Sequence, residues 1–402
     1  MGGEVTLGSL LARVETGWSP ACDAYPPAGD EWGVIKVSAV TSGNFQPGEA
    51  KRLPSGLQPR WQLEIRTGDV LIARANGARS LVGAVCQVGP TRRRLMLSDK
   101  ILRLVPDGEV AEATFLAILL RSAGVRRQIG NLLNGGTGQN NISQTDIRAL
   151  AVPDVPLDEQ RRIVAAHAAF ERRIGMLEAV RAKTVRLVDV LVEQLLHISG
   201  EVSLGSLLTR IEAGKSPSAE DMPAAEGEWG VLKVSAVQAG WFASRENKVI
   251  RDPALIHPRY EVKHGDLLMT RANTEELVGL ACVSENPPPR LLLSDKTLRL
   301  HVNESVADPR FLELALARAT VRQSVRAQAT GTSAGMKNIG QEQIRQLSVP
   351  DVPLDEQRRI VAVRAAFDQR IERQAAVVAK LRAVQQAVVE DLLTGHAKAY
   401  AA

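Results

Sequence analysis

Val155-Pro156-Leu157-Asp158-Glu159-Gln160-Arg161-Arg162-Ile163-Val164-Ala165 returns letter for letter at Val352 to Ala362, a shift of 197 residues. The same shift lays Glu4-Val5-Thr6-Leu7-Gly8-Ser9-Leu10-Leu11 on Glu201-Val202-Ser203-Leu204-Gly205-Ser206-Leu207-Leu208. It also lays the run from Glu31-Trp32-Gly33 to Val40 on Glu228 to Val237. Solenoid units repeat every 20–50 residues or so, so this spacing is that of a duplicated domain. Two copies in one chain form an internal pseudo-dimer. A pseudo-two-fold protein suits a two-fold partner, of which duplex DNA is the commonest.

Each copy divides into a mixed part and a helical part. Residues 1–153 and 199–350 carry short β-branched runs between Gly and Pro, such as Val34-Ile35-Lys36-Val37, Val70-Leu71-Ile72-Ala73 and Ile101-Leu102-Arg103-Leu104. These read as strands bounded by turns, with turns also at Gly68-Asp69 and Gly265-Asp266. Single helices are predicted over residues 112–129 and 308–328.

Residues 154–198 and 351–395 differ in kind, being almost free of Gly and, beyond their first residues, of Pro. Ile163, Phe170, Leu177, Leu191 and Ile198 recur on a seven-residue spacing, flanked by Ile174, Val188 and Leu195. Ile360, Phe367, Leu381 and Val388 repeat the pattern with Ile371, Val378 and Leu392, and Thr184 and Gln374 interrupt the two stripes. Asp158-Glu159 and Asp355-Glu356 place negative charge in the first turns, where it complements the helix dipole. Some forty residues of helix span about 60 Å. Two such stripes predict a coiled coil, antiparallel because a globular part precedes each helix. The fold class is therefore α+β with a pseudo-two-fold internal repeat, two mixed domains separated by two long antiparallel coiled-coil helices.

The 402 residues are 45% hydrophobic with a net charge of +5, which permits nucleic-acid binding without demanding it. No 18-residue apolar run is present and the start does not read as a signal peptide, so a cytoplasmic protein without membrane contact is expected. Cys22, Cys86 and Cys282 lack CxxC spacing, and the matched Cys86 and Cys282 read as reduced core thiols.

Chemistry for catalysis is missing from the pattern. Asn286-Pro287-Pro288-Pro289 resembles the Asn-Pro-Pro-aromatic motif of adenine methyltransferases, but Pro289 cannot stack on a flipped base. Gly135-Gly136-Thr137-Gly138 lacks the Lys of a phosphate-binding loop. Pro153-Asp154 and Pro350-Asp351 have no nuclease partner motif and read as turns before the helices. The six histidines, 167, 197, 257, 264, 301 and 396, have no metal-ligand spacing. No metal, no cofactor and no catalytic residue are expected.

Five segments recur in order in both copies. Gly17-Trp18-Ser19-Pro20 matches Gly214-Lys215-Ser216-Pro217, and Gly68-Asp69-Val70-Leu71-Ile72-Ala73-Arg74-Ala75-Asn76 matches Gly265 to Asn273. Ser98-Asp99-Lys100 matches Ser294-Asp295-Lys296, Asn141-Ile142 matches Asn338-Ile339, and the Val-Pro-Leu-Asp-Glu-Gln run closes the series. Together they resemble the specificity (S) subunits of Type I restriction-modification systems across essentially the whole chain. The resemblance implies a target recognition domain in each half and a long spacer helix after it. It implies a non-catalytic subunit that reads a bipartite site in double-stranded DNA, one half-site per domain. It also implies docking of two adenine-methyltransferase (M) subunits and of restriction (R) subunits, with the helices fixing the spacing. One departure is that the two recognition domains are near-copies, which favours similar half-sites in inverted orientation. The other reading is a coiled-coil scaffold or architectural DNA-binding protein without base readout.

Loop Arg, Lys, Asn and Ser are the residue types for DNA contact. Arg74, Asn76, Arg271 and Asn273 end strands, with pairing of the arginines to Asp69 or Asp266 as the alternative. Lys36 and Ser38, like Lys233 and Ser235, would alternate along one strand face. Lys100 and Lys296 each follow an Asp that could take them as an ion pair. Differences between copies are where differences in specificity belong. Trp18 stands against Lys215, and Asn76-Gly77-Ala78-Arg79 becomes the shorter turn beginning Asn273-Thr274-Glu275-Glu276. Thr91-Arg92-Arg93-Arg94 becomes Pro287-Pro288-Pro289-Arg290, and Gln139-Asn140-Asn141 becomes Met336-Lys337-Asn338. Arg79, Asn140 and Lys337 thereby join the candidates, and Arg92, Arg93 and Arg94 would form a phosphate clamp.

Overall fold

A computed structural model of the chain describes residues 3–136, 139–197, 200–333 and 336–395. Thr137-Gly138 of the Gly-rich loop, Ile198 at the end of the first stripe, Ser199 at the predicted domain start and His396 lie outside the described residues. The chain forms two compact units, Met1–Ala179 with Ala375–Ala402, and Val180–Gln374.

In the first unit the central sheet contains β1 (Leu11–Thr16), β2 (Val70–Ala73), β3 (Val85–Gln87) and β4 (Ile101–Pro106), in the order β1-β4-β2-β3 and antiparallel throughout. Val70-Leu71-Ile72-Ala73 is apolar at every position because β2 is covered on both faces. Val70 and Ile72 pack with Leu102, Leu104 and Phe115 in one core. Leu71 points the other way, with Cys86 and Ile101, into a second core closed by Ile35, Leu95 and Leu97. That second core lies under a small sheet in which Gly33–Ile35 pairs antiparallel with Ala50–Arg52 and parallel with Leu95–Met96. Phe115 is fully buried, and truncating such a side chain costs about 3–5 kcal/mol.

The helix predicted over residues 112–129 is two helices, Ala113–Leu119 and Ala123–Leu132. Ser122, with φ −60° and ψ 149°, is extended and breaks the ladder. The break separates a wholly buried apolar run, Phe115 to Leu120, from an amphipathic segment that buries only Val125 and Ile129.

Two helices of 41 residues each, α1 (Leu157–His197) and α2 (Leu354–Thr394), contribute to both units. In the first unit, Val389 and Leu393 of α2 join Ile163 of α1 in the core that holds Phe115. Gln385 donates to the His167 carbonyl at 3.3 Å and to Glu171 at 2.8 Å, and Arg382 pairs with Glu178 at 2.9 Å. Partner numbers fall along α2 as they rise along α1, so the segments are antiparallel.

The second unit repeats the plan with β5 (Leu208–Ala213), β6 (Leu267–Thr270), β7 (Ala281–Val283) and β8 (Thr297–Val302), in the order β5-β8-β6-β7. Its helices Pro309–Ala317 and Ala319–Gln328 replace the single one predicted, broken at the extended Arg318. The Arg318 guanidinium there binds Glu193 of α1 at 2.9 Å. Val188, Val192 and Leu196 of α1 and Ile360 of α2 enter this unit's core, and Arg364 pairs with Asp189 at 3.0 Å.

The apolar stripes hold along most of both helices and drift at their ends. Leu191 is exposed while Val192 and Leu196 are buried, and Gln385, Val389 and Leu393 form the buried row near the end of α2. An α-helix drifts by about 20° per heptad from a strict seven-residue repeat, and here the drifted ends face the cores of the two units.

Candidate nucleic-acid interface

Four of the five recurring segments converge at one edge of each unit. At the end of β1, a Cβ on Gly17 would overlap the Leu97 carbonyl oxygen, so only glycine lets the strands approach this closely. Gly214 meets Leu293 in the same way. Trp18 N–H then donates to Leu97 O at 3.0 Å, and Ser19 Oγ bonds the Asp99 carboxylate while accepting Asp99 N–H at 3.1 Å. The turn through Lys100 runs into β4. Its carbonyl accepts Arg74 N–H at 2.9 Å where β2 ends, and the Arg74 carbonyl accepts Ile142 N–H at 2.9 Å. Asn76 lies opposite Asn140 in the neighbouring hairpin.

Every link recurs in the second unit. Lys215 N–H donates to Leu293 O at 3.3 Å, and Ser216 bonds Asp295. Arg271 N–H donates to Lys296 O at 2.8 Å, Ile339 N–H donates to Arg271 O at 3.0 Å, and Asn273 faces Lys337.

Beneath each edge lies an arginine that sequence reading missed. Arg103 on β4 is buried between Glu15 of β1 and Asp69 at the start of β2, at 2.8 and 2.9 Å. It also donates to the carbonyls of Glu64 and Gln62 at 2.9 and 3.1 Å. Arg299 repeats this with Asp266 at 2.9 Å, Glu212 at 3.2 Å and the Glu261 carbonyl at 2.5 Å. The Nε contacts to Glu15 and Asp266 are ion pairs without hydrogen-bond alignment. Each cluster ties together the three strands whose ends carry the convergent segments. Burial pushes the Asp266 carboxyl up from its ordinary range, opposed by the Lys263 N–H and by Arg299. The sequence signal was a charged residue inside an apolar strand at the same place in both copies.

The predicted contact residues fall into two groups. Many are occupied by their own fold. Lys36 and Ser38 do not alternate along a strand: the strand ends at Ile35, Ser38 begins a helical turn, and both bind Glu49, at 3.5 and 2.7 Å. Those contacts, Ser38 first, hold the Glu49 carboxyl below its usual range. Lys233 likewise pairs with Asp221 at 2.8 Å, Ser235 sits in a 3-10 turn, and Ser235 donates to Glu246 at 2.6 Å. Arg79 binds the Gly130 carbonyl, and Arg92 spans the carbonyls of Pro27, Gly29 and Glu31. Arg94, at φ +64°, bonds the Asp30 carbonyl. Asn76 and Asn273 accept nearby backbone N–H groups, Asn140 donates to Gly77 O, and Lys337 to Gly331 O.

The second group is free. Arg74, Arg93, Lys100, Lys215, Arg271 and Lys296 make no side-chain hydrogen bond or ion pair among the described residues. The pairings of Arg74 with Asp69 and Arg271 with Asp266 do not form, because Arg103 and Arg299 occupy those carboxylates. Lys100 and Lys296 do not pair with their preceding aspartates, which the serines hold. Five of the six free cations belong to the convergent segments.

Chains similar to this one in sequence and fold are known. Over 198 residues, 48% of this chain, the protein is 32% identical to the EcoEI Type I restriction enzyme specificity subunit of Escherichia coli, spanning 33% of that protein. It is 22% identical over 353 residues, 82% of this chain and 73% of the other, to the EcoKI specificity subunit of the K12 strain. The chain is a relative of the Type I restriction enzyme specificity subunits. A solved structure from work on complex assembly and conformational transition of the type I R-M system shares the fold, with TM-score 0.60, 21% identity and coverage of 98% of this chain and 97% of that one. No protein-family model matches the chain.

The Val-Pro-Leu-Asp-Glu-Gln run that opens each helix has a structural role beyond charge. Gln160 is fully buried, accepting Glu112 N–H at 3.0 Å and donating to the carbonyls of Val110 and Val155 at 2.8 Å. Gln357 makes the matching bonds to Asp308, Val306 and Val352. These glutamines lock each long helix to the residues before it, which accounts for the identical Leu-Asp-Glu-Gln in both copies. Cys86 and Cys282 are buried core thiols, both pushed up to about 12 by burial. Among the described residues no His, Cys, Asp and Glu group could hold a metal, and no helix is long and apolar enough to cross a membrane.

Proposed function

We propose that the protein is the non-catalytic DNA sequence-specificity subunit of a Type I restriction-modification complex. Residues 1–153 and 199–350 are its target recognition domains, each reading one half of a bipartite site. Residues 154–198 and 351–395 are the spacers, whose helices fix the gap between half-sites and dock two adenine-methyltransferase subunits, with restriction subunits joining the assembly. The observation that carries this reading is the same edge in both units: four segments distant in sequence meet there and leave Arg74, Lys100, Lys215, Arg271 and Lys296 unpaired among the described residues. Cations with no partner in their own fold suit phosphates and base edges, which reward them only on binding. Because the two edges are built alike, the half-sites are similar sequences in inverted orientation.

Electrophoretic binding of the full chain to a random-sequence duplex pool, with competitor DNA, tests the proposal. Enrichment of one bipartite sequence is expected. Binding that follows salt concentration alone and enriches nothing would leave the chain a scaffold without base readout. Methyl transfer by the purified chain alone from a labelled methyl donor would contradict its non-catalytic role.

A further inference from the structure

The two edges keep the same backbone bonds and differ in the side chain that follows Gly17 or Gly214. Trp18 and Lys215 leave equivalent places, each donating its N–H to the carbonyl of the matched leucine, Leu97 or Leu293. In the first unit the exposed Arg60 guanidinium lies over the Trp18 ring, 4.2 Å from its centroid. Arg60 makes no hydrogen bond or ion pair through its side chain among the described residues. Its counterpart in the second unit is His257, whose ring turns to Tyr260, edge to face at 6.2 Å. Lys215 stands there alone and exposed.

The other loops that distinguish the copies are mostly committed to their own fold, as the bonds of Arg79, Arg92, Arg94, Asn140 and Lys337 show. Their chemistry is spent internally. That of Arg60 and Lys215 is not.

We infer that Arg60, held over the Trp18 ring, is a base-reading residue of the first recognition domain, and that Lys215 takes its place in the second. The inference rests on the reading of the chain as a DNA specificity subunit. A planar guanidinium presents paired donors in a rigid fork that matches guanine O6 and N7. Stacking on the indole fixes that fork before DNA arrives, so less side-chain entropy is lost on binding. An ammonium on four methylenes is a single mobile donor cluster that accommodates any major-groove acceptor. The first half-site therefore demands guanine at this position, and the second tolerates more than one base there. The half-sites are alike in inverted orientation except here.

Selection from a random-sequence duplex pool by the full-length chain tests this, comparing wild type with R60Q, with W18K/R60H and with the converse K215W/H257R. R60Q keeps Trp18, and Arg60 is exposed, so that variant isolates the side chain from the fold. The expected result is a loss of guanine preference by roughly 5- to 150-fold at one position of the first half-site in R60Q and W18K/R60H. K215W/H257R gains a guanine preference at the matching position of the second half-site. Unchanged preference at every position in R60Q, or an even loss across the whole first half-site, overturns the inference while leaving the specificity-subunit reading intact. A wild-type chain that enriches no bipartite sequence overturns that reading and the inference with it.

Discussion

Replacing Arg103 by Met removes the cation that Glu15 and Asp69 share and keeps a side chain of similar reach. Arg103's side chain is 8% exposed, Glu15's 25% and Asp69's 18%, so two carboxylates stay largely screened from water, with only the exposed Arg13, 2.6 Å from Glu15, left to balance them. The carbonyls of Glu64 and Gln62 lose donors as well. Removing one partner of a buried pair costs about 3–5 kcal/mol, and partial exposure of Glu15 puts this case at the lower end, about 3 kcal/mol. The loss is local to the sheet edge of the first unit.

The pH dependence of such a loss has a definite sign. In the second unit burial already holds the Asp266 carboxyl above its ordinary range, and Arg299 opposes that rise. An acid with a raised folded pKa stabilises most below its unfolded value near 4, and that contribution is lost as pH rises through the folded value. The defect of the matching R299M variant is therefore largest near neutrality and shrinks in mild acid. R103M/E15Q/D69N, which removes the charges, recovers part of the loss. Urea titration gives the total, and hydrogen exchange locates it: amides of β1, β2 and β4 lose protection while those of β5, β6 and β8 keep theirs. A loss below about 1 kcal/mol in R103M, or a larger R299M defect at pH 5 than at pH 7, would refute this account of the clusters.

Lys100→Ala and Lys296→Ala, both exposed and unpaired, should leave stability within about 0.5 kcal/mol of wild type. Each should flatten the log–log salt dependence of DNA binding by about 0.9 if the lysine meets a phosphate. Unchanged slopes together with relaxed sequence preference would make them base contacts instead. Gly17→Ala puts a methyl group into the Leu97 carbonyl, and should cost about 1–3 kcal/mol as the strands are forced apart. A variant as stable as wild type by urea titration would show that the edge yields freely. Gln160→Ala strands a buried N–H and two carbonyls, with a cost of about 1–3 kcal/mol and loosened exchange at residues 110–112 and 155. Cys86 and Cys282, with thiols pushed up to about 12, should label with a thiol reagent at pH 7.5 only at the rate of unfolding. Prompt labelling of either in the native protein would contradict their burial.

Periodic features of this molecule were legible in its sequence, and features set by a single side chain's direction were not. A 197-residue repeat, an apolar strand run and a seven-residue stripe are sums over many residues, so one misplaced position does not hide them. Arg103 and Gln160 show the opposite case. A polar residue in a strand or first turn is ordinarily solvated, and nothing local to Gln160 reveals that Val110, Glu112 and Val155 will bring three unsatisfied backbone groups to it. The three adjacent arginines make the point within one turn. Arg92 and Arg94 fold back onto carbonyls while Arg93 remains exposed, a division set by the positive φ of Arg94 rather than by residue type. Lys36 and Ser38 were placed by carrying a strand's two-residue period past Ile35, where the strand has ended.

The duplication supplies a physical control for separating scaffold from contact. Where both copies keep a residue and its bond, as Ser19 with Asp99 and Ser216 with Asp295, the pair shapes the edge and has no freedom left for a ligand. Where both keep a residue without a bond, as Lys100 and Lys296, the side chain has no role in its own fold, and a partner common to both edges, such as a phosphate, gives it one. Where the backbone bond is kept but the side chain changes, as at Trp18 and Lys215, the fold does not require that side chain, and its chemistry is free to differ between half-sites. A substitution of the first kind should damage folding, one of the second should weaken binding to all sequences alike, and only the third should change which sequence is bound.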